Sequence, residues 1–133
     1  MADPTALVMH PDCGLHDTGW GHPEHQGRLP AVVSALYADT PTLLEVVRQV
    51  EAEPASEEDL LRVHTQAHLE RIRNAVAHAE ETGKQVPLDG DTLVSGASWD
   101  AALASAGCAI TATALVLDGV SKTAFAASRP PGH

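Results

Sequence analysis

The sequence predicts an α/β fold built on a mostly parallel sheet. Two observations carry that prediction. Short apolar runs fit for strands occur at residues 6–9, 44–50 and 123–128, and the segments between them repeat their apolar residues at helical spacing. Strands alternating with helices in this way make βαβ units, whose parallel strands are joined by crossover helices. A third observation bounds the unit. No internal repeat, low-complexity segment or linker interrupts the 133 residues, so they read as one domain, unfinished at its carboxyl end.

Each element follows in turn. Ala6 to Met9 reads as a buried strand that stops at His10-Pro11, since the residue before a proline is driven to extended backbone. Residues 10 to 27 hold four histidines and two prolines and read as a long loop. Long loops in compact domains are often functional. Arg28 to Ala38 resumes helical spacing through Leu29, Val32, Val33 and Leu36, and Pro41 is expected to break it. Leu44 to Val50 is the second strand. Ser56 is placed to cap a short helix, with Glu57, Glu58 and Asp59 in its first turn against the helix dipole. Another helix runs from about Ala67 to Glu81 and ends at Gly83. Residues 86–98 read as a polar loop. Ser98 is expected to cap a long apolar helix that ends at Gly119. That helix, apolar on nearly every face, should be the most buried of all. Thr123 to Ser128 reads as an interior strand.

Composition excludes several classes. There are 18 acidic against 8 basic side chains, a formal net charge of −10, which repels phosphate backbones and argues against direct nucleic-acid binding. Cys13 and Cys108 stand far apart and in no CxxC, which suits a reducing, cytoplasmic setting rather than a disulfide scaffold. The opening MADPTALVMHPD has neither a basic region nor an apolar stretch of signal-peptide length. Residues 98–119 are long enough to span a membrane. Their apolar content is mostly alanine, however, and Asp100 and Asp118 flank them, so a helix packed within a soluble protein is expected instead.

The last residues are Arg129-Pro130-Pro131-Gly132-His133. Two prolines fix φ, and Gly132 permits a close turn. In open parallel sheets, ligands gather beyond the carboxyl ends of the strands. A histidine leaving a strand through such a segment is either held at a reaction centre or, like many chain ends, mobile.

Four stretches, in order, resemble the zinc-dependent histone deacetylase and acetoin-utilisation deacetylase family. RPPGH at 129–133 resembles the start of its histidine-pair motif, written RPPGHH. HDTGWGHPEHQGR at 16–28 resembles its N-terminal loop. VHTQAHLERI at 63–72 resembles a helix segment in which His68 stands where an aromatic is common. LDGDTLVSGASWDAALASAG at 88–107 resembles its Asp-x-Asp-Thr loop and alanine-rich helix. The resemblance implies the N-terminal part of a three-layer α/β/α, arginase-like deacetylase domain. It implies hydrolysis of acetyl-amides, of acetyl-lysine or of an acetylated small molecule such as a polyamine, by a zinc-activated water. It further implies that His133 is the first histidine of the pair, acting catalytically on the metal-bound water. Asp91 would be the rim residue that accepts hydrogen bonds from substrate backbone, and Arg28 the arginine near the inner end of the acetyl channel. His22 and Glu24 would order the N-terminal loop.

The family's Zn2+ ligands come from an Asp-x-His pair and a later aspartate. No Asp-x-His occurs in these residues, so no bound metal and no activity are expected of this chain alone. Blander roles stand beside the implied ones: a helix-start ion pair with Glu24 for Arg28, and a turn residue for Asp91. Two other readings compete. One is a small metal-binding module using His10, Cys13, His16, His22, His25, His64 and His68, whose spacings match no zinc finger. The other is a non-catalytic remnant of the deacetylase fold.

Overall fold

The computed structural model describes residues 4–38 and 40–132. Strand β1 (Thr5–Met9) is central in a three-stranded sheet. It pairs in parallel with β2 (Val47–Glu51) on one side and β5 (Ala124–Ala126) on the other. Ala6, Leu7 and Val8 are all buried, as a parallel strand covered on both faces requires. Between β1 and β2 lie a single 3-10 turn (Pro11–Gly14), the rest of the long loop, and helices α1 (Arg28–Ala38) and α2 (Thr40–Val46). After β2 come α3 (Glu57–Leu61), α4 (Gln66–Thr82), a small hairpin of β3 (Val86–Pro87) and β4 (Leu93–Val94), and α5 (Ser98–Leu117), which leads back to β5.

Local chemistry explains most boundaries. The Ser56 hydroxyl accepts from the Asp59 N–H while the Asp59 carboxylate accepts from the Ser56 N–H, a reciprocal cap on α3. The Thr65 hydroxyl caps α4 at one end by accepting from the His68 N–H, and Gly83 closes it with φ of 67°, a left-handed turn that suits glycine. Gly119 does the same beyond α5 with φ of 72°.

Three expectations need correction. Residues 44–46 are helical rather than extended, the end of α2, so the strand begins at Val47. Pro41 falls in the first turn of α2, where a missing N–H costs nothing. Ser98 does not cap α5. It lies inside the helix, and its oxygen accepts from the Ser95 N–H at 2.7 Å and meets His16. Finally, β5 is an edge of the described sheet, not an interior strand.

Helix α5 buries Ser98, Ala101, Ala104, Gly107, Cys108 and Ala112, more than any other described helix, and lies on β1 and β5. Ala104, Cys108 and Ala112 join Ala6, Val8, Cys13 and Ala52 in the core. It is the one described helix long and apolar enough to cross a membrane, yet its small residues are spent on close approach to the sheet. Its outer face is less covered than its composition suggests. Leu117 is 80% exposed and Ile110 46%, and Phe125 on β5 is 52% exposed.

An unpaired edge beside exposed apolar side chains invites association. We therefore expect the isolated chain to self-associate as its concentration rises. Light scattering coupled to gel filtration checks this, and a monodisperse monomer with a cooperative melt would contradict it.

Candidate functional site

The carboxyl ends of β1 and β5 lie on one edge of the sheet because the strands are parallel. The long loop leaves β1 there, and Arg129 to Gly132 leaves β5 there. The two segments are locked together by Arg129, whose side chain is 3% exposed. Its Nε–H donates to Glu24 Oε1 at 2.9 Å and its Nη2–H to Glu24 Oε2 at 2.8 Å, a two-pronged carboxylate contact. Nη2 also donates to the Glu24 carbonyl at 2.9 Å, and Nη1 to the His16 carbonyl at 2.5 Å. The Thr18 hydroxyl adds a second donor to the Glu24 carbonyl at 2.8 Å. On the other side, the Ser105 hydroxyl of α5 donates to the Pro130 carbonyl at 2.7 Å.

His22 ties the loop to the hairpin. Its Nδ1 accepts from the Glu24 N–H at 3.0 Å, so the ring proton sits on Nε2 and is donated to the Asp91 carbonyl at 2.5 Å. The turn before Asp91 is held by Asp89, whose carboxylate accepts from the N–H groups of Asp91 and Thr92. Those donors hold the Asp89 carboxyl below its ordinary range.

These segments wall a cavity of about 410 Å³. Asp91, exposed, and His22 stand on its polar side, and Pro130, Pro131 and Gly132 also line it. Leu69, Ile72, Trp99 and Ala106 from α4 and α5 contribute apolar walls. Arg28 is not among the lining residues. Its side chain is 56% exposed and donates to Glu24 Oε1 at 3.2 Å, which is the helix-start ion pair. The structure thus brings Arg28 and Arg129 to one carboxylate and ties Asp91, through His22, to the same loop. His133 lies outside the described residues.

Among the described residues, no group of three or more His, Cys, Asp and Glu could hold a metal ion. The side chains of the metal-module reading turn to separate partners. The His10 ring accepts from the Asp12 N–H, Cys13 is buried in the core, and His25 packs against Trp20. His64 and His68 stack on each other with ring centroids 4.9 Å apart.

Burial, with the Arg129 charge, lowers the His16 pKa below 6.5, so the ring is neutral at neutral pH and its 4.0 Å approach to Glu24 is not then an ion pair. Burial alone would raise the Glu24 carboxyl. The hydrogen bonds and charge of Arg129, helped by His16 and Arg28, win and hold it below its ordinary value. The Cys13 thiol is lowered to about 6, chiefly by a hydrogen bond from the Cys108 thiol and, against burial, by the Arg129 N–H; Cys108 is correspondingly raised.

Both His16 and Glu24 bind protons more weakly folded than unfolded, so the unfolded state takes up more protons and stability rises with pH. We expect the melting temperature to fall as pH drops below about 6.5, where His16 begins to charge in the unfolded chain, and again through the carboxylate range below 4.5. A melting temperature flat from pH 7 to pH 5 would mean that His16 is not a buried neutral ring.

A sequence profile of the histone deacetylase domain matches residues 22–133. The chain belongs to the histone deacetylase family. It is 35% identical over 131 residues to a probable deacetylase of Archaeoglobus fulgidus, covering 97% of this chain and 34% of that protein. It is 31% identical over 129 residues to histone deacetylase 8 of Arabidopsis thaliana, covering 90% and 33%. The fold matches the crystal structure of the HDA15 HD domain with a TM-score of 0.80 at 27% identity, over 97% of this chain and 36% of that one. The chain therefore spans about a third of the length of these two relatives.

In this deacetylase-family chain, the RPPG segment and the Gly-His-Pro-Glu loop are two halves of one buried contact. Sequence reasoning gave Glu24 a role in ordering the loop and offered it Arg28 as partner. It missed Arg129, the larger contributor. A signal was present: a lone arginine between a strand-like run and two prolines is a cation about to be buried, and such a cation needs a carboxylate.

Proposed function

We propose that residues 1–133 are the N-terminal portion of a single deacetylase domain that hydrolyses acetyl-amides: acetyl-lysine, an acetylated polyamine or a related small acetylated amine. The observation that carries this is the convergence of the RPPG segment, the long loop and the Asp91 hairpin on one cavity at the carboxyl edge of the parallel sheet. In this reading Asp91 meets substrate backbone at the rim, and His133, following Gly132, assists the attacking water. The family resemblance alone would set Arg28 near the inner end of the acetyl channel; its side chain does not line this cavity and pairs with Glu24. The family's Zn2+ would polarise the acetyl carbonyl and activate that water. The described residues do not fit it, and any such ion would be held by others. The two unpaired thiols and the acidic composition accord with a cytoplasmic protein that binds neither nucleic acid nor membrane.

Sequence beyond codon 133 tests the reading. A following histidine and then Asp-x-His is expected, and a stop codon would favour the non-catalytic remnant. For the 133-residue chain itself we expect no turnover of an acetyl-lysine peptide, with or without added zinc, because it contains no Asp-x-His. Chelator-sensitive turnover at family-like rates would overturn that expectation.

A further inference from the structure

The segment that would carry the catalytic histidine is held from two sides, by residues of the long loop and of α5. From the loop side, Arg129 commits Nε, Nη1 and Nη2 to Glu24 and to the His16 carbonyl, which leaves the guanidinium no free rotation. From the helix side, the Ser105 hydroxyl donates to the Pro130 carbonyl at 2.7 Å. The two restraints fall on adjacent residues but come from different elements. One grips a side chain and the other a backbone carbonyl. Between them and His133 stand only Pro131, whose φ is fixed by its ring, and Gly132.

We propose that Glu24 and Ser105 are positioning residues. Acting through the Arg129 guanidinium and the Pro130 carbonyl, they set the path of Pro130–Gly132 and hence the point from which the His133 side chain starts. The significance for His133 rests on its reading as the catalytic histidine, whereas the restraint itself does not. A mobile segment here would spread the histidine over many orientations, and a misplacement of about 1 Å can cost on the order of 100-fold in rate. The two restraints are separable, because neither residue touches the other's target.

The test is backbone relaxation of the 15N-labelled 133-residue chain, read at Arg129 and Gly132 and, for comparison, at Val8 and Cys108 in the core. Glu24→Gln removes the charge and one acceptor oxygen, and Ser105→Ala removes the second restraint. Glu24→Asp keeps both oxygens on a shorter stem. Each of the first two is expected to lower the Gly132 order parameter from about 0.85 toward that of a flexible segment, below about 0.6, and the double variant to lower it further. Glu24→Asp should fall between, and Val8 and Cys108 should not change. Unchanged order at Gly132 in both single variants overturns the proposal. So does a loosening spread equally over Val8 and Cys108, which would make both residues merely structural. If Glu24→Gln fails to fold, Ser105→Ala gives the same readout from the helix side. The deacetylase reading fails on different evidence, a stop codon after His133, which would leave the relaxation result standing.

Discussion

Replacing Arg129 by methionine should cost about 3–5 kcal/mol, the range for removing one partner of a buried ion pair. Domain stability is typically about 5–15 kcal/mol, so this is a large share of the whole. Methionine fills much of the arginine stem's volume, which keeps packing loss small and isolates the charge. The loss has a specific origin: the Glu24 carboxylate, 16% exposed, keeps as permanent cation only Arg28, which is itself 56% exposed and well solvated, beside the buried His16 ring at 4.0 Å. The carbonyls of His16 and Glu24 lose their guanidinium donors as well. Arg28→Met should cost no more than about 1 kcal/mol, because an exposed ion pair is screened by water. The double variant Glu24→Leu with Arg129→Met should be less damaging than Arg129→Met alone, since no charge is then left buried without a partner. Denaturant unfolding of the four proteins settles the matter. Equal losses for Arg28→Met and Arg129→Met would remove the buried pair from the account of what joins the loop to the sheet.

The contrast between these two arginines shows what the sequence discloses. Arg28 and Glu24 are four apart at the start of α1, and their pairing can be read from proximity in the sequence. Arg129 and Glu24 are 105 residues apart, and only the parallel alignment of β1 and β5 brings them together. The same division runs through the fold. The caps at Ser56 and Gly83 act within a few residues and were legible, as were the limits of α5 and all three strands of the main sheet in outline. The start of β2 was not. Leu44 to Val50 places its apolar residues where they suit either a helix turn or a strand, and periodicity cannot choose over so short a span. The β3–β4 hairpin was missed because each strand is two residues long and its turn is built by Asp89 side-chain contacts. At the cavity, Asp91 could be nominated from the motif that it resembles. That His22 grips the Asp91 carbonyl could not, since the bond crosses 69 residues.

Gly107→Ala should destabilise the chain by about 3 kcal/mol, at the upper end of what an overpacked core site costs. Two effects oppose each other. In an isolated helix the substitution would stabilise by about 1 kcal/mol, because alanine loses less backbone entropy than glycine. Here, a Cβ on Gly107 would stand 2.0 Å from the Glu53 carbonyl oxygen and 2.9 Å from the Ala55 nitrogen. Both are backbone atoms, so no side chain can swing aside. The segment cannot withdraw freely either: the Ala55 N–H donates to the Leu103 carbonyl at 2.9 Å, one turn earlier on α5, and Ala52 and Ala55 are buried. Steric cost therefore exceeds propensity gain, and either α5 or residues 53–55 must move by more than an ångström. Movement of α5 would carry Ser98 away from His16 and Ser105 away from Pro130, so the damage should reach the candidate site. Thr113→Ala, on the exposed part of the same helix, should instead leave stability within about 0.5 kcal/mol of the parent or raise it slightly. Urea unfolding of both variants is the measurement. A Gly107→Ala protein as stable as its parent would show that residues 53–55 can yield to a Cβ at Gly107, and that the alanine-rich helix is held to the sheet by burial alone rather than by this close backbone contact.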